Sequence, residues 1–170
     1  MTLNRDARHL ALPQIGAEGQ QRIAQGRVLL IGVGGIGCAA AAYIASSGVG
    51  HLTVVDFDTV DETNLGRQVL YAQGHIGELK ADVAAARLRK INPNVEVRSI
   101  SERLRGAALA QAVANVDVVL DGSDNFPTRY LVNDACVLLG IPLAYGAVFR
   151  FEGQASLFGA PNGPCYRCLF

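Results

Sequence analysis

Val28-Leu29-Leu30-Ile31-Gly32-Val33-Gly34-Gly35-Ile36-Gly37, followed by a second apolar run ending at Asp56, decides how this chain folds. In order it reads as a strand, a glycine turn, a helix and a second strand that delivers a carboxylate, which makes a nucleotide-binding βαβ unit. Gly32 permits the tight turn, Gly34 lets backbone N–H groups approach a phosphate, and Gly37 lets the helix lie close to the sheet. Asp56 stands 24 residues beyond Gly32, where an acidic side chain accepts hydrogen bonds from ribose hydroxyls. The pattern points to a dinucleotide or adenosine site without saying which nucleotide. Taken alone, the glycines would also suit a plain tight turn.

Val28 to Val55 contains no Asp, Glu, Lys or Arg and is long enough to suggest a membrane span. Six glycines interrupt it, and its periodicity changes from strand to helix to strand, so a buried parallel-sheet unit is the better reading. With 170 residues the chain makes one domain with a sizeable core. Its 15 basic residues balance 15 acidic ones, which argues against a broad nucleic-acid or membrane surface, since either needs a one-signed basic field. Thirteen of the basic residues are Arg, leaving Lys80 and Lys90 as the two lysines. Residues 1–8 are polar and charged, with no secretory signal visible. Four cysteines in that context predict a reducing, cytoplasmic compartment and no disulfide framework.

Further β-like runs are Leu52–Asp56, Val95–Ile100, Val116–Asp121 and Pro142–Gly146, with Arg27–Ile31 as the first. Helical patterns cover Ile36–Ser47, Lys80–Ile91, Ala107–Ala114 and Arg129–Leu139, and an N-terminal helix is expected over Gln14–Gln25. This alternation predicts an α/β fold: a doubly wound, mostly parallel, Rossmann-like sheet with helices on both faces. Arg150–Phe158 alternates apolar and polar residues and suits a late, half-exposed antiparallel strand. The expected division is an N-terminal helical segment over 1–26, a nucleotide-binding domain over 27–158, and the start of a zinc-binding segment over 159–170. One connection is out of proportion. Phe57 to Leu79 has 23 residues, far beyond the usual loop of about 2–6. It carries Asn64, Arg67 and Gln68, and Lys80 follows it directly. A solvated excursion containing a short helix is the plain alternative.

The fourth strand ends in Asp121-Gly122-Ser123-Asp124-Asn125 and is expected beside the first, where the winding reverses and ligands bind. A bare carboxylate beside a phosphate is repulsive by about 4 kcal/mol at 4 Å for an effective dielectric near 20. Asp124 therefore makes sense with Mg²⁺ held between it and phosphate oxygens, which favours a triphosphate over a nicotinamide dinucleotide. Capping of a turn or helix start is the alternative for Asp121 and Asp124. Lys80 falls at a helix start, where the macrodipole disfavours a cation unless an anion lies nearby. With Arg67 it is placed to grip β- and γ-phosphates while Gly34 and Gly35 supply backbone donors. A surface lysine without a role is the alternative. Cys165-Tyr166-Arg167-Cys168 has the spacing of half a tetrahedral zinc site. Redox chemistry is disfavoured, because the pair follows a glycine- and proline-rich turn instead of opening a helix after a strand; it and a pair without a role are the alternatives to zinc with outside ligands. Cys38 and Cys136 suit small buried hydrophobes. His9, His51 and His75 form no constellation with a nucleophile, so hydrolase chemistry has no support.

Together these segments resemble the ubiquitin-activating-enzyme superfamily in its bacterial ThiF/MoeB/HesA branch. The matching residues are Arg5 to Leu10, Gly32 to Gly37, Asp56-Phe57-Asp58-Thr59-Val60 and Asn64-Leu65-Gly66-Arg67-Gln68. Gly77 to Lys80, Ile91-Asn92-Pro93, Asp121 to Asn125, Gly153-Gln154 and Cys165 to Cys168 complete the set. The resemblance implies ATP·Mg²⁺ binding and adenylylation of the C-terminal glycine carboxylate of a small ubiquitin-like sulfur-carrier protein ending in Gly-Gly. It implies ATP contacts at Gly35, Asp56, Asn64, Arg67, Lys80, Asp124 and Asn125, with Asp124 acting through magnesium. It makes Arg8 an arginine finger reaching the nucleotide of the other subunit in a homodimer. Asp6 stands where the family usually has an aromatic residue. The family also continues past the position of Phe170 with a crossover loop, more strands and a second CxxC, so the resemblance leads us to expect a fragment or a short relative. Two other classes compete: a nicotinamide-dependent oxidoreductase, suggested by the glycine turn and Asp56, and a non-catalytic module binding nucleotide or a partner.

Overall fold

The computed structural model describes residues 5–170. Six strands form one sheet: β1 (Arg27–Ile31), β2 (His51–Val55), β3 (Glu96–Ile100), β4 (Val118–Asp121), β5 (Leu143–Phe149) and β6 (Glu152–Phe158). Their order is β3-β2-β1-β4-β5-β6, parallel throughout except for β6, which runs antiparallel to β5. The helices are α1 (Ala7–Leu10), α2 (Gly16–Gln25), α3 (Gly35–Ser47), α4 (Lys80–Ile91), α5 (Gly106–Ala114) and α6 (Phe126–Leu139).

The unbroken apolar run of β1 has a simple cause. Side chains alternate across a strand, so a strand covered on both faces must be apolar at every position. Val28 and Leu30 join Leu52, Val54 and Val97 beneath Cys38, Ala41 and Ala45 of α3 and Ala84 and Leu88 of α4. Leu29 and Ile31 join Val119 and Leu143 beneath Leu109 and Val113 of α5 and Val132 and Cys136 of α6. Leu29 and Leu30 are both fully enclosed, and such burial stabilises by about 1.5–3 kcal/mol per side chain. This is the doubly wound arrangement. Among the described residues no helix is long and apolar enough to cross a membrane.

The element boundaries depart from expectation where local chemistry intervenes. α6 begins at Phe126, not Arg129, because the Asn125 side chain accepts a hydrogen bond from Thr128 N at 3.0 Å and Pro127 fits the first turn. β5 runs on to Phe149, and a two-residue turn led by Arg150 (φ 55°) delays β6 to Glu152. β6 does not bury one face as its alternation suggested. It is the outermost strand, and Glu152 to Leu157 are all exposed, leaving Phe158 as its buried residue. The 57–79 connection is largely exposed and contains short helical turns, yet it is anchored to the core. Two 3₁₀ turns (Glu62–Asn64 and Gln73–His75) and a bridge between Thr59 and Leu79 shape it, and Val60, Gln68, Leu70 and Tyr71 are buried.

Candidate functional site

The glycine turn lies between the ends of β2 and β4. Gly32 N donates to Val55 O at 2.8 Å, and Gly122 N donates to Ile31 O at 2.9 Å. Crossovers leave in opposite directions on either side of this point, which opens a crevice at the carboxyl ends of the strands. Two glycines make the approach possible. Gly32 has φ 83°, and a Cβ there would stand 3.1 Å from backbone atoms of Gly122 and Ser123. A Cβ on Gly37 would stand 1.9 Å from Gly32 O, so any side chain would lift α3 off the turn. The opening N–H groups of α3 have no intrahelical acceptor and form the positive end of its dipole.

The long connection folds over this turn. Cγ and Cδ of Arg67 lie 3.7 Å from where a Gly35 Cβ would be, while its guanidinium Nη1 donates to Thr63 O at 3.0 Å. Gln68 follows with Nε2 3.9 Å from the corresponding position on Gly34. Asn64 is buried and closes a reciprocal cap with Asp61: the Asp61 carboxylate accepts from Thr63 N at 2.8 Å, and Asn64 Oδ1 accepts from Asp61 N at 3.3 Å. Asn64 thus shapes the bend that presents Arg67.

Asp56 is nearly enclosed, and both of its oxygens are already engaged. Oδ2 accepts from Val33 N at 2.8 Å and Oδ1 from Asp58 N at 2.9 Å. Burial pushes its carboxyl above the ordinary range, against the pull of those two amides and of Lys80. Each oxygen keeps a further lone pair for a ribose hydroxyl. Lys80 is the first residue of α4, is 7% exposed, and sets its ammonium 3.3 Å from Asp58 Oδ2. Asp58 therefore supplies the anion that a buried cation at a helix start requires, a partner that sequence reading did not assign.

Across the turn, Asp121 pairs in register with Ile31 and is 1% exposed. Its Oδ1 accepts from Ser123 N at 2.8 Å, Oδ2 is buried without a partner, and burial pushes its carboxyl up. Asp124 stands in the open, with Asn125 Nδ2 at 3.5 Å from Oδ1. Asn125 serves as the cap of α6. Arg129 fixes this loop from the other side, donating to Ser123 O at 2.9 Å; sequence reading gave it no role.

Gly34, Gly35, Asp56, Asn64, Arg67, Lys80, Asp124 and Asn125 are thereby all placed around one rim. Arg8 is not. Its helix α1 is tied to the other end of the molecule: Arg5 Nη1 donates to Ile91 O at 3.0 Å, and Asp6 Oδ1 lies 3.7 Å from the Cβ position of Gly48. Gly48 closes α3, whose 13 residues put about 20 Å between that end and the glycine turn. Cys165 and Cys168 lie on a 3₁₀ turn against α6, their Sγ atoms 3.6 Å apart. Tetrahedral zinc with Zn–S near 2.3 Å sets two sulfurs about 3.8 Å apart, so the pair fits an edge of such a site. Among the described residues no group of three or more His, Cys, Asp or Glu could hold a metal ion. An open groove of about 560 Å³ lies at the amino rim, lined by Arg27, His51, Glu96 and Arg98. Within it, His51 and Arg98 both meet Glu96.

The fold is a doubly wound α/β sheet with a glycine turn at its carboxyl rim. The chain belongs to the ThiF family, which it matches over residues 7–170. It is 49% identical over 168 residues to a SAMP-activating enzyme E1 of Haloferax volcanii, covering 99% of this chain and 62% of that protein. It is 47% identical over 173 residues to a sulfur carrier protein adenylyltransferase of Thermus thermophilus, covering 99% and 64%. Its fold is similar to that of E. coli MccB crystallised with succinimide, with a TM-score of 0.84, 27% identity, and coverage of 98% of this chain and 52% of that one. MccB with AMPCPP and MccA is similar at a TM-score of 0.82, 27% identity, 96% and 50% coverage. The chain thus spans less than two thirds of the length of each of these proteins.

Proposed function

We propose that this chain is the nucleotide-binding part of an ATP-dependent adenylyltransferase whose substrate is the C-terminal glycine carboxylate of a small ubiquitin-like sulfur-carrier protein. The observation that carries the reading is that Arg67 packs on the glycine turn at Gly35, while the buried Lys80 opens α4 at the backbone reached by the same Tyr71 hydroxyl that bonds Val33 of that turn. Its relatives named as a sulfur carrier protein adenylyltransferase and a SAMP-activating enzyme support the same reading.

The chemistry asks little of the protein beyond placement. A glycine carboxylate is already ionised at pH 7, so its oxygen attacks the α-phosphorus without a general base. A new O–P bond forms, the bond to the β-phosphate oxygen breaks, and an acyl-adenylate and pyrophosphate result. The barrier then depends on in-line placement and on neutralising the departing pyrophosphate. Amides at Gly34 and Gly35, the Arg67 guanidinium and the Lys80 ammonium supply donors and charge for that, and Asp56 holds the ribose. Asp124 takes the magnesium that accompanies ATP; its exposed carboxylate suits that use better than the buried Asp121 does. Arg8, remote from its own chain's rim, serves the nucleotide of a second copy in a homodimer. Cys165 and Cys168 provide two of the four thiolates of a structural zinc site, the others being supplied from elsewhere. A cytoplasmic setting keeps those thiols reduced.

Pyrophosphate exchange into ATP, measured on the full-length protein, tests this. Exchange should require a Gly-Gly-ended carrier and collapse in Asp124→Ala and Lys80→Ala. Exchange that ignores the carrier or survives both substitutions would overturn the assignment.

A further inference from the structure

The peptide joining Val33 to Gly34 is held from beneath by side chains that have no place in the chemistry above. Tyr71 Oη donates to Val33 O at 2.8 Å, and Cys38 Sγ donates to the same carbonyl at 3.2 Å. On the other side of Val33, its N–H is held by Asp56. Tyr71 is 7% exposed and Cys38 fully enclosed, so solvent does not compete for this carbonyl. The Tyr71 hydroxyl also lies 3.4 Å from Lys80 O, which places it between the glycine turn and the first residue of α4.

The consequence follows from peptide geometry. In a planar trans peptide the C=O and the following N–H point in opposite directions. A Val33 carbonyl drawn into the core therefore turns Gly34 N–H outward, toward the rim where Arg67 and Gln68 flank the turn. Gly34 cannot enforce this itself, because a residue without Cβ tolerates the rotated peptide almost as well. We propose that Tyr71, supported by Cys38, is a positioning residue of the phosphate site, locking the Val33–Gly34 peptide so that Gly34 N–H faces the nucleotide before it arrives. Burial pushes both the Cys38 thiol and the Tyr71 hydroxyl upward, which keeps on each the proton that it donates. A donor fixed in advance costs no reorganisation when charge meets it. The inference rests on reading the glycine turn as the seat of ATP phosphates.

The test is calorimetric titration of the full-length protein with ATP·Mg²⁺ and, separately, with adenosine. It compares wild type, Tyr71→Phe, the Tyr71→Phe/Cys38→Ala double variant and Tyr71→Phe/Cys38→Ser. Tyr71→Phe should weaken ATP·Mg²⁺ binding about fivefold to tenfold, the worth of one hydrogen bond, and the double variant should weaken it further. Serine at position 38 should recover much of the loss, because its hydroxyl donates to the same carbonyl. Adenosine, which has no phosphate, should bind all four proteins alike. Unchanged ATP affinity in the double variant would overturn the proposal, and so would an equal loss for adenosine, which marks a general packing defect. A wild type that binds adenosine but gains nothing from the phosphates would defeat the triphosphate reading itself, a result distinct from either.

Discussion

The carboxyl rim of the sheet and the C-terminal cover on α6 use similar residues to opposite ends. At the rim, Asp56 and Asp121 are buried and pushed up by that burial, and Lys80 is buried against Asp58. Gln68 Oε1, Asp121 Oδ2 and Ser123 Oγ are enclosed there without hydrogen-bond partners. In the cover, Asp134 meets Arg167 in a two-pronged pair at 2.6 and 2.7 Å in the open, and the hydrogen bond from Arg167 draws its carboxyl down. Tyr166 lies fully buried among Tyr130, Tyr145, Phe158 and Phe170, with its N–H given to Asn133 at 2.8 Å. Unpaired buried polar atoms each cost about 1–3 kcal/mol, and these three lie on residues beside the glycine turn and at the end of β4. The cover instead meets its own needs, with Tyr166 Oη as the exception. Stability is gathered at one end and spent at the other.

If this division holds, substitutions at the two ends should separate stability from activity. Tyr166→Ala should cost about 3–5 kcal/mol of unfolding free energy, read by urea denaturation, while the folded fraction keeps its nucleotide affinity. Asp124→Ala should do the reverse, lowering pyrophosphate exchange by about 10²–10³-fold with the denaturation midpoint nearly unmoved. Lys80→Ala should match that loss of exchange and also disturb folding, because Asp58 loses its buried partner. Loss of activity and stability in step at both ends would erase the distinction.

The pH dependence sharpens it with opposite signs. Asp121 is raised from the usual 3.8 by burial, so its ionisation is a burden on the folded state. Its favourable contribution is complete below the unfolded value and is lost as pH rises through the folded one. Asp121→Asn should therefore gain ground on wild type as pH rises above the ordinary value of 3.8. Asp134 is lowered, so its pair with Arg167 stabilises above the unfolded value and fades as pH falls through the folded one. Asp134→Asn should lose a little stability at pH 7 and nothing at strongly acid pH, the smallest effect here because the pair is exposed. Thermal melts across pH 3–7 check both slopes.

Much of this was legible in the sequence because it rests on short-range patterns. The glycine spacing and the charge-free run of Val28 to Val55 dictate the βαβ unit, and α4 spans Lys80–Ile91 as its periodicity predicts. Asn125 as a cap was less visible, since helical periodicity begins only beyond Pro127. The rest depends on contacts that no local window contains. Tyr71 meets Val33 across 38 residues and Lys80 meets Asp58 across 22, and nothing about an aromatic in a long connection says which carbonyl it will find. The exposure of β6 was hidden for the same reason, since a strand's alternation does not reveal whether any helix covers it.

The most direct measurement is calorimetric titration of the full-length protein with ATP·Mg²⁺ and with NADH, repeated for Arg67→Ala and Lys80→Ala. ATP·Mg²⁺ should bind, both substitutions should weaken it at least tenfold, and NADH should give no saturable heat. Tight NADH binding with no response to ATP·Mg²⁺ would contradict a rim built around a triphosphate.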